Sequence, residues 1–227
     1  TLKGRLKLSW YMKCKKLFII GFALAAFGAT AQTVTDNRVW TKLTYRIEPA
    51  KGLDVDLSGL YRNVGGDEGM DRWITELQVT KKQSKSFSYS TEFRHYAIFD
   101  DVGATQGINH RIRFRVNATK DYDLGRDEFS MRYGIQQRTV ISGGGADRTD
   151  LRIRAAYTKN IKDWKLDPTF YSEYLGSVNG NLSRRLRIGA ESSNKMLGGK
   201  VSFGYFYQHN FSLSSPHYHT LTVGYRL

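Results

Sequence analysis

Residues 108–120, INHRIRFRVNATK, put Arg111, Arg113 and Arg115 at every second position, with Ile112, Phe114 and Val116 between them. In an extended chain successive side chains point to opposite faces, so this stretch is charged on one face and apolar on the other. Two architectures use such a strand. A soluble antiparallel sheet turns its apolar face to a protein core and its polar face to water. A transmembrane barrel turns the apolar face to lipid and the polar face to its own lumen.

The same alternation recurs along the chain. LDVDLSGLY separates Leu53, Val55, Leu57 and Tyr61 from Asp54, Asp56 and Ser58, and FSYSTEFRHY separates Phe87, Tyr89 and Phe93 from Glu92, Arg94 and Tyr96. LRIRAAYT, RRLRIGAES and YHTLTVGYRL behave alike, and in KVSFGYFYQH only Phe206 breaks the pattern. Eleven such runs begin near Arg38, Gly52, Asp71, Ser86, Ile108, Arg126, Thr149, Lys165, Arg184, Gly199 and His217. Most are longer than the roughly 5–6 residues usual in soluble sheets and suit the roughly 9–11 tilted residues that cross a bilayer. Compact connections (EPAK, KQSK, KDYDLG, NIKDW, SNKML) alternate with longer or Gly-, Asn- and Ser-rich ones after Asn63, Phe99, Ile141, Gly176 and Asn210. Short turns on one side and longer loops on the other are what an outer-membrane barrel requires, and such barrels close on even strand numbers. The expected fold is all-β, a single antiparallel transmembrane β-barrel of ten to twelve strands.

The start of the chain carries an export signal. Lys13, Lys15 and Lys16 precede the apolar run Leu17–Phe27, and Ala29-Thr30-Ala31 follows it. A basic segment, a short apolar run and small residues spaced A-x-A define a secretory leader. Residues 12–31 are therefore expected to be a signal peptide, 1–11 an upstream extension and 32–227 the barrel. The run is too short for a membrane-spanning helix, which needs about 18 residues or more. Cys14, the single cysteine, would leave with the leader, so no disulfide or thiol chemistry is expected. Six of the 35 basic residues would leave too, against 21 acids that all remain, which reduces the formal charge of +14 to +8. That bias is modest, and together with export it argues against nucleic acid as a partner. Trp40, Trp73, Trp164, Tyr61, Tyr122, Tyr174 and Tyr218 fall near the ends of runs, where interfacial aromatic girdles sit.

The leader KKLFIIGFALAAFGATAQ, the opening VWTKLTYRIEPAKGLDVDLSGLYR, the arginine-rich HRIRFRV and the closing HTLTVGYRL resemble an uncharacterised family of Gram-negative outer-membrane barrels, domain of unknown function 2490. The resemblance spans nearly all of residues 32–227. It implies a porin-like barrel in the outer membrane and carries no activity or functional residue with it. The chain end, with Tyr225 third from last and Leu227 last, also resembles the strand that outer-membrane assembly machinery reads, although phenylalanine is the usual final residue.

With the apolar face on lipid, strand parity places Arg94, Arg111, Arg113, Arg115, Arg132, Arg138, Arg152, Arg154, Arg185 and Arg187 in the lumen, with Asp54, Asp56, Glu76, Glu92, Glu173 and Glu191. Unpaired buried charge costs several kcal/mol, and arginine's planar fork suits bidentate carboxylate pairing. A salt-bridged, hydrated lumen is expected. The role that follows is structural, or a minor solute or interaction role, without catalysis or cofactor. The excess of arginine leaves a narrow anion-favouring channel as an alternative, since arginine rings select anions. A membrane-embedded lipid hydrolase or acyltransferase would rest on His217 and His219 beside Ser214 and Ser215, a pattern without a linking motif. Those two histidines are also too few for a metal site, and no metal is expected. SGGGAD, residues 142–147, lacks the Gly-Lys-Ser/Thr ending of a phosphate loop and is expected to be a flexible loop. A soluble periplasmic sheet that binds a ligand is the remaining alternative on the fold itself.

Overall fold

The computed structural model describes residues 35–64, 71–100, 106–178, 184–211 and 216–227. The expected leader and upstream extension lie outside the described residues. Eleven strands follow one another: β1 (Thr35–Ala50), β2 (Leu53–Val64), β3 (Arg72–Ser84), β4 (Phe87–Asp100), β5 (Gly107–Leu124), β6 (Asp127–Val140), β7 (Arg148–Thr158), β8 (Thr169–Ser177), β9 (Arg184–Met196), β10 (Gly199–Asn210) and β11 (His217–Arg226). Each pairs with its sequence neighbours, and β1 pairs with β11 to close a barrel.

The closing pair departs from the all-antiparallel expectation. Every connection reverses the chain, so an eleventh strand runs in the same direction as the first, and the two can meet only in parallel. The register runs from Thr35 opposite His217 to Thr44 opposite Arg226. It is extended by Leu227 N donating to Thr44 O at 2.9 Å and Arg46 N donating to Leu227 O at 3.1 Å. The eleven runs of the sequence are thus eleven strands. The rule of even closure fails because one parallel seam absorbs the odd strand.

At one end of the barrel four connections are two-residue hairpins. Leu197 (φ 57°) and Gly198 (φ 77°) both adopt the left-handed conformation between β9 and β10, the pairing that a type I′ turn requires. The β7–β8 connection is longer than the sequence suggested. It occupies residues 159–168, and β8 starts at Thr169 rather than near Lys165. Lys159 N donates to Pro168 O at 2.9 Å, Ile161 N to Asp167 Oδ1 at 3.0 Å, and Trp164 Nε1 to Leu166 O at 2.9 Å. At the other end lie the remaining five connections and the start of β1.

The outer face is apolar and exposed around the ring, with Leu43, Leu57, Leu77, Phe93, Phe114, Ile135, Phe203 and Leu221 all open. The inner face holds most of the buried charge. The expected aromatic girdle has two informative exceptions. Trp40 and Tyr218 do not join an outer girdle; they face inward and line the central cavity. Trp40 packs edge-on against Phe206 at 5.0 Å between centroids, which explains why Phe206 stands on the otherwise polar face. Gly189 makes room for this aromatic group, since a Cβ there would lie 2.5 Å from Tyr205 O and 2.7 Å from Phe206 Cβ. By contrast Trp73 is outward and exposed and packs against Tyr61 at 5.0 Å.

The seam is directly testable. Val39 and Leu221 are in register across it. A Val39→Cys/Leu221→Cys protein, refolded and oxidised, is expected to form an intramolecular disulfide seen as a gel shift that reductant reverses. Val39→Cys/Tyr225→Cys, four residues out of register, is expected to stay reduced, and equal crosslinking of both pairs would refute the register.

Candidate functional site

Inside the barrel the charged residues form a band across the middle of the lumen. Glu92, fully buried on β4, is shared by three arginines. Arg94 Nε lies 2.9 Å from Oε1, Arg113 Nη2 donates to Oε1 at 2.5 Å, and Arg115 Nη2 donates to Oε2. Glu76 on β3 accepts from Lys42 Nζ at 2.5 Å and from Arg94 Nε. Across the lumen Glu173 on β8 gathers Arg152 at 2.6 Å, with Arg132 and Arg187 each at 3.3 Å. Alternation dictates this arrangement. Arg94, Arg113 and Arg115 share one face because they stand at even spacing on two neighbouring strands, with Arg94 opposite Arg113 and Glu92 opposite Arg115. Like charges placed directly opposite repel, and a carboxylate between them reverses the sign of the interaction.

Toward the short turns, Arg46 grips Asp56 with Nε and Nη2, each at 2.5 Å, and reaches Asp54 at 3.3 Å. Lys82 lies 3.1 Å from Asp54. Toward the long loops the balance changes. Asp150 holds Arg148 at 2.8 Å and Arg185 at 3.3 Å, and also accepts from Gln136 at 2.8 Å. Arg62, Arg72, Arg111 and Arg138 form no ion pair with any described carboxylate. Arg62 instead lies over the Trp40 ring at 3.8 Å, and Arg111 Nη2 donates to Gly144 O at 3.0 Å.

That last contact draws in the Gly-rich loop. Residues 142–147, expected to be a flexible loop, are tied down in the structure. Ile141 N and Ser142 N both donate to His110 O, Ser142 Oγ accepts from His110 N at 2.9 Å, and Asp147 Oδ1 accepts from Val140 N at 2.9 Å. Ala146 of this loop lines the cavity at the mouth.

The cavity has a volume of about 1080 Å³, and its wall includes fifteen arginines and one lysine against three glutamates. Thirteen of the sixteen residues that parity assigned to the lumen lie on that wall. Asp54, Asp56 and Glu76 are the others, buried beside Arg46 and Lys42. A second cavity of about 440 Å³ opens toward the short turns and shares Lys42, Glu191 and Thr222 with the first. Sequence reasoning missed Arg38, Lys42, Arg46, Arg62, Arg72, Arg148 and Asp150. All are on the inner parity of their strands; Arg38, Arg62, Arg72, Arg148 and Asp150 stand near strand ends, and the alternation of β1, which carries Lys42 and Arg46, was not followed.

The histidines have no part in this lumen; none lines the cavity. His95 stacks on His110 at 5.2 Å between ring centroids, and His209 on His217 at 4.4 Å. His217 Nδ1 accepts from Asn210 N at 3.2 Å, and His219 Nδ1 bonds the Tyr205 hydroxyl. Ser214 and Ser215 lie outside the described residues. Among the described residues no group of three metal-ligating side chains occurs.

These features define a class: a closed β-barrel with an apolar exterior and an arginine-dominated, ion-paired interior. Residues 37–219 match the family described as Protein of unknown function (DUF2490), and the chain belongs to that family. No curated protein and no solved structure matches it.

The shared carboxylates should dominate stability. Replacing Glu92 by glutamine leaves three buried guanidinium groups facing one another, and losing one partner of a buried ion pair costs about 3–5 kcal/mol. Urea unfolding of the detergent-refolded protein should show a loss of that size. Glu191→Gln, whose side chain is 46% exposed and, among the described residues, bonds Arg154 alone at 2.5 Å, should cost less than about 1 kcal/mol.

Proposed function

We propose that this protein is an outer-membrane barrel whose lumen accepts small anions from the side of the long loops and passes them slowly, or holds them, above the ion-paired band. The observation that carries the reading is the composition of the cavity wall, with sixteen cationic side chains against three carboxylates. Even with Glu76 and Asp150 just behind the wall, the space is strongly positive. Rings of arginine attract anions and repel cations, and low-dielectric walls focus such a field. The size agrees with this. Barrels of about 8 strands are filled by side chains, while 16 or more leave an open channel. Eleven strands leave a marginal bore, here crossed by ion pairs and narrowed where the two cavities meet at Lys42, Glu191 and Thr222.

The membrane assignment rests on the exterior. A soluble protein rarely exposes a contiguous apolar patch beyond a few hundred Å²; here every strand of the ring exposes at least one large apolar side chain on its outward parity. In this reading the long loops face outward, the short turns and Leu227 face the periplasm, and the lipid contacts only the apolar face. The reading assigns the barrel no catalysis. The histidine rings are engaged in stacking and hydrogen bonds on the outer face, away from the polar lumen.

Two measurements test the proposal. The refolded protein should require detergent to remain monodisperse and should migrate differently on gels before and after heating. In planar bilayers under a KCl gradient, the current should be small and the reversal potential should lie on the chloride side. A zero or potassium-side reversal potential, or complete absence of both current and anion binding, would overturn the anion reading.

A further inference from the structure

The band of ion pairs is anchored unevenly around the ring. Glu92 and Glu173 each hold three arginines, and with Glu76 their side chains are at most 3% exposed. Glu191 on β9 is 46% exposed, and Arg154 is its one partner among the described residues. An ion pair so open to water is worth little and separates readily. Lys42 on β1 is 36% exposed. Between β9 and β1 lie β10 and β11, whose inner faces at this level carry Ser202, Gly204, Thr222 and Gly224 in register with Glu191 and Lys42. Three strand spacings separate β9 from β1, roughly 14 Å along the wall, and none of these four residues is larger than threonine. Even a methyl group at Gly204 would lie 2.6 Å from Thr222 Oγ1 and 3.2 Å from Glu191 Cβ. The two cavities adjoin on this same wall, since Lys42, Glu191 and Thr222 line both.

We propose that solutes cross the band along this wall, beside the parallel seam, and that Glu191 is the gate that limits the passage of anions. The proposal rests on the reading of the lumen as an anion-accepting space and names the residue that sets its rate. The charge balance changes at Glu191. In the larger cavity sixteen cationic side chains face three carboxylates, whereas in the smaller one Lys42, Lys200 and Arg226 face Asp56, Asp167 and Glu191. An anion leaving the larger cavity loses its surplus of positive charge at the point where it meets a carboxylate. Low-dielectric walls focus that repulsion. Glu191 is also the carboxylate best able to swing, being held by one half-exposed pair, while Glu92 and Glu173 lock the opposite side of the band. Lys42, bonded to Glu76 at 2.5 Å, supplies the positive charge on the other flank of the passage.

The experiment is current recording from the detergent-refolded full-length protein in planar bilayers under a KCl gradient, with heat-modifiable gel mobility to confirm that each variant is folded. Glu191→Gln should raise the chloride current about threefold or more and move the reversal potential further to the chloride side, and Glu191→Lys should do both more strongly. Asp163→Asn, exposed in the β7–β8 connection and lining neither cavity, should conduct as the parent does. In a Cys14→Ser background, Thr222→Cys should be blocked by a negatively charged methanethiosulfonate reagent. Asn117→Cys, buried on β5, should neither react nor block. Unchanged current in both Glu191 variants, or block at Asn117→Cys without block at Thr222→Cys, would overturn the proposal. If the parent and both Glu191 variants all fail to conduct while the protein still binds anions, the gate falls and the anion-holding lumen stands. A potassium-side reversal potential in the parent would remove the broader reading and the gate with it.

Discussion

A carboxylate shared among several guanidinium groups is the interaction on which this interior depends. Period-two alternation sends a whole series of arginines to the inside of a narrow ring, and taken alone they could not be buried there. Glu92 and Glu173 each gather three of them, and Glu76 holds Arg94 together with Lys42. Burying an ion pair is seldom a net source of stability compared with an apolar core. Its value here is geometric, because each carboxylate must sit between particular strands, and so the network specifies register as well as balancing charge.

The band also divides the lumen. On its short-turn side, acids and bases are matched around Arg46, Asp54 and Asp56. On its long-loop side, cations prevail and aromatic rings occupy part of the wall. Arg62 lies over Trp40 at 3.8 Å. Cation–π contact lets a guanidinium stay buried without a carboxylate, and it leaves the positive charge uncancelled and available to a solute. The functional asymmetry of the barrel comes from this difference in how its two halves compensate arginine.

Much of this was legible in the sequence, and the misses are instructive. The strand number and the inward face of residues such as Arg113, Glu92 and Glu173 follow from alternation, because a pleated strand leaves no freedom in which side a residue takes. The same rule would have turned Trp40 inward with Lys42 and Arg46. Its assignment to a girdle came from treating aromatic position along a run as evidence of depth, when parity decides face first. The late start of β8 reflects local bonding, in which Asp167 and the Pro168 carbonyl close a turn that the run of Lys and Trp does not announce. The ordering of residues 141–147 depends on His110, some thirty positions away, and no window around the glycines contains that information.

The parallel seam was the least readable feature, since the pairing of β1 with β11 joins segments about as far apart in the chain as the fold permits. Long-range pairings of this kind form slowly. Until β11 arrives, every intermediate sheet has two raw borders, and such borders are templates for pairing with a neighbouring chain. Sealing the ring is therefore the final commitment of folding, and it fixes at one stroke the circumference, the tilt and the enclosed charge. The ten residues of β11 act as a keystone: without them the arginine face would lie open along one side, as part of an unrolled sheet.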